Sequence, residues 1–309
     1  MLKTKQNQKN IFNFVKLILF LGVLAIIYWQ IKNFNPGAWK EFKLTHPLSL
    51  LMAIVLVFTN IWLAYLKWKV TLRVLDPSAT KHVTRQSFFA GVVTGMLTPN
   101  MAGNFIGRFY YFERAKRVPI ILFTLLANYA QFIATLTFGW VAILIAGDLF
   151  VLSGSFTFLA WLGVGVAVAY LIYFFIDRFL FRIRKKGYFV DFRNKLRTNR
   201  LYRVNILGLS LTRFTVFTLQ FSLVLDAFGE PMSLISIMAI WQVYLLTMLV
   251  PSLFLGKIGV RESIALLVLS GIGMNEFSVL FASLVIWTIN SLAPALFGLI
   301  ICKKRQEDD

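Results

Sequence analysis

Apolar runs close to the length that crosses a bilayer recur along this chain, and they dominate what it can fold into. A hydrocarbon core ~30 Å thick needs about 20 apolar residues of helix. Six runs meet that length, at 11–31, 47–66, 120–146, 156–176, 204–227 and 277–301. Within lipid, backbone N–H and C=O groups must be satisfied inside the structure, which favours helices. The expected fold class is therefore all-α, a polytopic membrane helical bundle of about six spans. Trp29, Trp62, Trp68 and Trp140 fall near predicted span ends, where interfacial aromatics belong.

Composition narrows the function classes. Hydrophobic residues make up 58% of the 309, against roughly 45–50% in a soluble chain, so no soluble catalytic domain is expected. The net charge of +19 invites nucleic acid as a partner, but the basic residues sit between apolar runs, as the positive-inside rule arranges them. No nucleic acid partner is expected. One cysteine, Cys302, and two histidines, His46 and His82, leave no disulfide framework and no Cys/His metal cluster. No metal or cofactor is expected. Lys3, Lys5 and Lys9 precede the first run in the manner of a signal peptide, but no small-residue cleavage site follows. An uncleaved first span is the expectation.

Two further apolar stretches are broken. Residues 87–107 contain Gly95, Pro99, Asn100, Gly103 and Asn104; residues 234–272 contain Pro251, Gly256, Lys257 and Gly259. Charge parity assigns their paths. Residues 177–203 hold ten Lys/Arg against two Asp, and residues 67–85 hold five against Asp76, so both loops belong in the cytoplasm. The links at Asp148 and Glu230 are acidic and belong outside. For Arg114, Lys116 and Arg117, and later Lys303, Lys304 and Arg305, to be cytoplasmic, each broken stretch must return to the side it left.

The expected organisation follows. Residues 1–176 form a first membrane half, with spans one to three, a cytoplasmic-side re-entrant hairpin at 85–115, and span four. Residues 177–203 form a basic cytoplasmic loop. Residues 204–302 form a second half with an external-side re-entrant hairpin at 233–272, and 303–309 a cytoplasmic tail. The two breaks read alike, L-T-P-N-M-A-G-N-F-I-G-R from Leu97 and L-V-P-S-L-F-L-G-K-I-G-V-R-E from Leu249, with Pro99 and Pro251 152 residues apart. Interrupted segments at matching positions of two inverted halves point to a transporter's binding site. Two kinked helices that merely pack together are the plainer alternative.

The second break, Gly256-Lys-Ile-Gly259-Val260-Arg261-Glu262, resembles the G-x-x-G-V-R-E signature of the lysylphosphatidylglycerol synthase/flippase transmembrane family. The first break is similar to that family's proline–glycine segment, and Trp68-Lys69 to its basic residue after the second long helix. Asn104 stands where the family often carries a carboxylate. Few residues follow Cys302, so the resemblance implies a stand-alone flippase-like unit without an aminoacyltransferase domain. It implies movement of a phosphate-bearing lipid, a phospholipid or polyprenyl phosphate, across the inner membrane, with both termini cytoplasmic.

Side-chain chemistry gives candidate substrate-binding residues. Arg108 and Arg261 lie beside the return-helix N-termini of the two hairpins, where free N–H groups and guanidinium forks suit phosphate. Gly103, Gly256 and Gly259 allow close approach of the backbone, and Pro99, Pro251 and Glu262 complete the two breaks. Arg261 could instead pair with Glu262. Arg213 lies deep in its span, where an arginine costs ~2.5–3.5 kcal/mol on insertion scales and so should face a cavity. Asn128, Gln131, Gln220, Gln242 and Asn290 read as interhelical hydrogen bonders. Catalytic residues are not expected: the membrane zone holds one clear carboxylate, Glu262, and no histidine. An intramembrane lipid-modifying enzyme and a non-transporting scaffold are the competing classes. Association into a homo-oligomer is left open.

Overall fold

The computed structural model describes residues 43–98, 103–146, 156–183, 187–250 and 259–302. The expected first span at 11–31 and the tail 303–309 lie outside them. Pro47 opens helix α1 (Pro47–Leu75), its missing N–H costing nothing in a first turn. There follow α2 (Lys81–Met96), capped by Thr80, and the short α3 (Gly103–Phe109). The long α4 (Arg114–Ala146) leads to α5 (Phe156–Ile183), α6 (Gly187–Thr198) and α7 (Leu201–Ala227). A Ser233–Ser236 capping box starts α8 (Leu234–Leu249). After α9 (Val260–Leu269), Asn275 caps a final helix α10 (Glu276–Ile301), which contains a π turn at Thr288–Leu292.

Five of these helices are long and apolar enough to cross a membrane: α1, α4, α7, α10, and α5 over Thr157–Arg178. Burial is inverted relative to a soluble protein. Ile300, Phe58, Trp161 and Leu48 are each two-thirds or more exposed, while Asn60, Gln220, Gln242 and Glu262 are buried to 1% or less. Contiguous apolar surface on this scale marks a lipid-facing exterior. In the interior α1 packs on α7, α4 on α7 and α8, and the end of α10 on α2. Small residues set the closest crossings: a Cβ on Gly139 would meet Leu245, and one on Gly298 would meet Val93.

The helices flanking each broken stretch pack on each other, α2 on α3 and α8 on α9. Lys116, at the start of α4, pairs with Asp76, just past the end of α1, at 2.7 Å. The α2–α3 hairpin therefore leaves and returns to one end of the bundle. At the other end Ser49 donates to Asp226, at 2.5 Å, and Asn275 N–H donates to Glu230 at 3.1 Å. The α8–α9 hairpin begins and finishes there.

Two expected boundaries shift. The second span continues to Leu75 instead of stopping at 66, so Lys67 lies inside α1 and is 7% exposed. A lysine ordinarily closes an apolar run, but here its stem reaches the interior of the bundle. The basic segment 177–203 is also largely helical. Phe192 and Leu196 of α6 pack into the core, with Phe192 edge-on to Phe123 at 4.7 Å, and Lys195 donates to the Leu75 carbonyl at 3.0 Å.

Candidate functional site

Four glycines build the wall that holds the first arginine. Gly91 and Gly95 on α2 and Gly103 and Gly107 on α3 form two G-x-x-x-G pairs, and the arms meet backbone to backbone. A Cβ on Gly103 would strike the Thr94 carbonyl, and one on Gly107 the Ala90 carbonyl. Asn104 and Arg108, one turn apart on α3, lie across Gly91 on α2. The backbone of Gly103 is held by side chains of α2 and its end: Thr94 Oγ1 donates to the Gly103 carbonyl at 2.6 Å, and Gly103 N–H donates to Thr98 Oγ1 at 2.5 Å. One N–H at that helix start is thus already used within the hairpin. Gly259, at φ +84°, behaves alike: its N–H donates to Glu262 at 2.6 Å.

Beside this wall is a cavity of about 450 Å³. Arg108 from α3, Arg213 from α7 and Lys67 from α1 line it, and no Asp or Glu among the described residues does. Each cation has neutral partners. Arg108 sits 4.5 Å above the Trp68 ring, a contact that attracts a guanidinium without neutralising it. Trp68 is fixed in turn by its Nε1–H donating to Ser87 at 3.0 Å. Arg213 lies over Phe217 and donates through Nε to Asn60 at 2.8 Å; Asn60 donates to Asn290 of the π turn at 2.5 Å. Such π turns often re-aim side chains at functional sites. Lys67 donates to the Ala127 carbonyl at 3.2 Å and to Gln131 at 3.4 Å. The arrangement can hold an anion, with amides of Asn60, Asn104, Asn128, Gln131 and Asn290 around it.

Of the candidate residues, the structure brings Arg108 and Arg213 together. Arg261 and Glu262 do not line this cavity. They form an ion pair at 2.8 Å, and Arg261 also donates to Ser283 Oγ at 3.0 Å and to its carbonyl at 2.6 Å. Gly103 and Gly259 serve the helix starts, as described. Pro99, Pro251 and Gly256 lie outside the described residues. Sequence reasoning missed Lys67, Trp68 and Asn60 as site residues and Gly91 as the seat beneath Arg108. The G-x-x-x-G spacings at 91–95 and 103–107 were the readable signal for a close helix crossing.

Fold and cavity together define a polytopic helical membrane protein with a basic interior site. The family model for the lysylphosphatidylglycerol synthase TM region matches residues 13–298, and the chain belongs to that family. No curated protein and no solved structure matched it.

Proposed function

We propose that this chain is a flippase-type carrier, not an enzyme. It takes the phosphate-bearing headgroup of a membrane phospholipid or polyprenyl-phosphate lipid into the cavity and passes it across the inner membrane. One observation carries the reading: Arg108, Arg213 and Lys67 share an interior cavity whose described lining has no carboxylate. An isolated ion in hydrocarbon costs tens of kcal/mol by Born estimates, so a headgroup's path must supply positive potential. The family's name, which refers to the membrane region of a lipid synthase, agrees with a lipid cargo.

A lateral opening suits acyl chains. Leu125, Asn128 and Phe132 share an exposed face of α4, and two of them, Asn128 and Phe132, also line the cavity. The headgroup enters there while its tails stay in lipid. The α2–α3 and α8–α9 hairpins re-enter the membrane from opposite sides as parts of an inverted repeat. At ~1.5 Å per residue, the 16-residue arms α2 and α8 reach ~24 Å, short of the ~30 Å core. The basic end at Arg197 and Arg203 faces the cytoplasm.

The test uses vesicles with purified full-length protein and a fluorescent anionic phospholipid. Wild type moves the lipid between leaflets faster than protein-free vesicles, and Arg108→Gln and Arg213→Gln fall toward the protein-free rate while remaining folded. Unchanged movement in both folded variants would remove the cavity from the path.

A further inference from the structure

Among the described residues, no carboxylate lines this cavity to balance its charge. Two partly buried arginines outside the cavity meet carboxylates: Arg203 pairs with Asp177 at 2.5 Å and Arg261 with Glu262 at 2.8 Å. Inside the cavity the partners of Arg108, Arg213 and Lys67 are rings, amides and a backbone carbonyl. Neutral partners orient a cation and leave its charge available. Arg108 is only 9% exposed, yet its Nε–H has no acceptor. The Asn104 Oδ1 beside it has no donor, and that amide can turn to present its NH₂ group instead. Buried polar atoms left open in this way are costly, and a ligand that completes them removes the cost.

We infer that the cavity selects lipids by headgroup charge, preferring a terminal phosphomonoester or diphosphate over a phosphodiester and rejecting headgroups that carry an amine. The inference rests on reading the cavity as a headgroup site. A diester brings one negative charge to two guanidinium groups and an amine, and repulsion among those left over is weakly screened at this depth. A terminal phosphate brings close to two charges and three free oxygens, enough to meet both guanidinium forks and the lysine together. A zwitterionic headgroup brings no net negative charge, and its ammonium meets cations and no carboxylate. An aminoacyl ester of a diester lipid likewise adds an ammonium and is disfavoured for the same reason. A phosphomonoester could come from a lipid or from a free metabolite, and the open face at Asn128 and Phe132 favours the lipid.

The test titrates full-length protein in phosphatidylcholine nanodiscs at mildly alkaline pH. The probes are dioctanoyl phosphatidic acid, dioctanoyl phosphatidylglycerol, dioctanoyl phosphatidylethanolamine and glycerol 3-phosphate. Phosphatidic acid should bind at least about tenfold more tightly than phosphatidylglycerol, and ethanolamine lipid not measurably. The preference should shrink in folded Arg108→Gln and Lys67→Gln and partly return in Arg108→Lys. It should persist in the double variant Lys69→Gln/Arg73→Gln, which alters a basic patch outside the cavity. Equal affinity for the two anionic lipids overturns charge selection and leaves the carrier reading standing. So does a preference that follows Lys69 and Arg73. Glycerol 3-phosphate binding as tightly as phosphatidic acid overturns the lipid cargo while leaving the charge rule. Binding of none of the probes overturns both.

Discussion

Alanine at Gly91 and alanine at Gly107 test whether hairpin packing and the seat of Arg108 are separable. At Gly91 a Cβ would lie 2.6 Å from Asn104 Oδ1 and 2.8 Å from Arg108 Cγ. Comfortable contact needs ~3.5 Å, so both side chains must retreat by roughly 0.7–0.9 Å. Neither obstacle is backbone, so Gly91→Ala should fold, at a cost toward the lower end of the ~1–3 kcal/mol typical of overpacking. Arg108, however, leaves its place over Trp68. Losing one charge-assisted hydrogen bond of ~1.5–3 kcal/mol weakens phosphate-lipid binding roughly ten- to hundredfold. At Gly107 the obstacle is the Ala90 carbonyl, and the arms themselves must part. Gly107→Ala should lower the unfolding temperature by about 2–10 °C, more than Gly91→Ala does. Thermal unfolding of the detergent-solubilised protein, followed by tryptophan emission, and phosphatidic acid titration provide the two readouts. Full-strength binding by Gly91→Ala, or wild-type stability in Gly107→Ala, would refute this account of the hairpin.

Orientation is checked in a Cys302→Ser background, where Thr198→Cys should resist an impermeant thiol reagent in intact cells and react after lysis. Met232→Cys, at the opposite end, should react in intact cells; the reverse pattern would invert the assigned topology. At the α1–α4 junction burial pushes the Asp76 carboxyl up, but hydrogen bonds from Lys116 and Ser78 outweigh it and hold the group below the usual carboxylate range. A depressed pKa stabilises the fold above the unfolded value of ~3.9 and loses that contribution as pH falls through the folded value. The stability gap between wild type and Asp76→Asn should therefore stay constant from neutral pH to about pH 5 and close only below about pH 4. A gap that closes nearer neutrality would contradict the pairing.

Hydropathy made five spans legible, because each must be apolar along its whole length to survive in lipid. It misplaced the end of α1, since a lysine can close a span or reach inward from it, and no local pattern tells these apart. The helix within 177–203 was hidden by charge density, although Phe192 and Leu196 are spaced for one helical face. Arg213 was readable from the cost of its depth. Arg108 and Arg261 looked equivalent beside their breaks, yet Arg261 has an adjacent carboxylate and a distant serine, whereas Arg108 has an indole. The Trp68–Arg108 and Asn60–Arg213 contacts join segments far apart in the chain, and one sequence contains no signal for either.

If the cavity carries headgroups as proposed, the indole beneath Arg108 has a consequence for turnover. A carboxylate in that place would compete with every incoming headgroup and would reclaim the arginine on release, stabilising the empty state. Trp68 competes for no proton and no charge, and its hydrogen bond to Ser87 keeps it from following the guanidinium. Departure of a bound anion therefore leaves the cations on their neutral partners, with no carboxylate among the described lining residues to collapse onto. Under the proposed carrier function, repulsion among Arg108, Arg213 and Lys67 then disfavours the vacant cavity and biases it toward loading again.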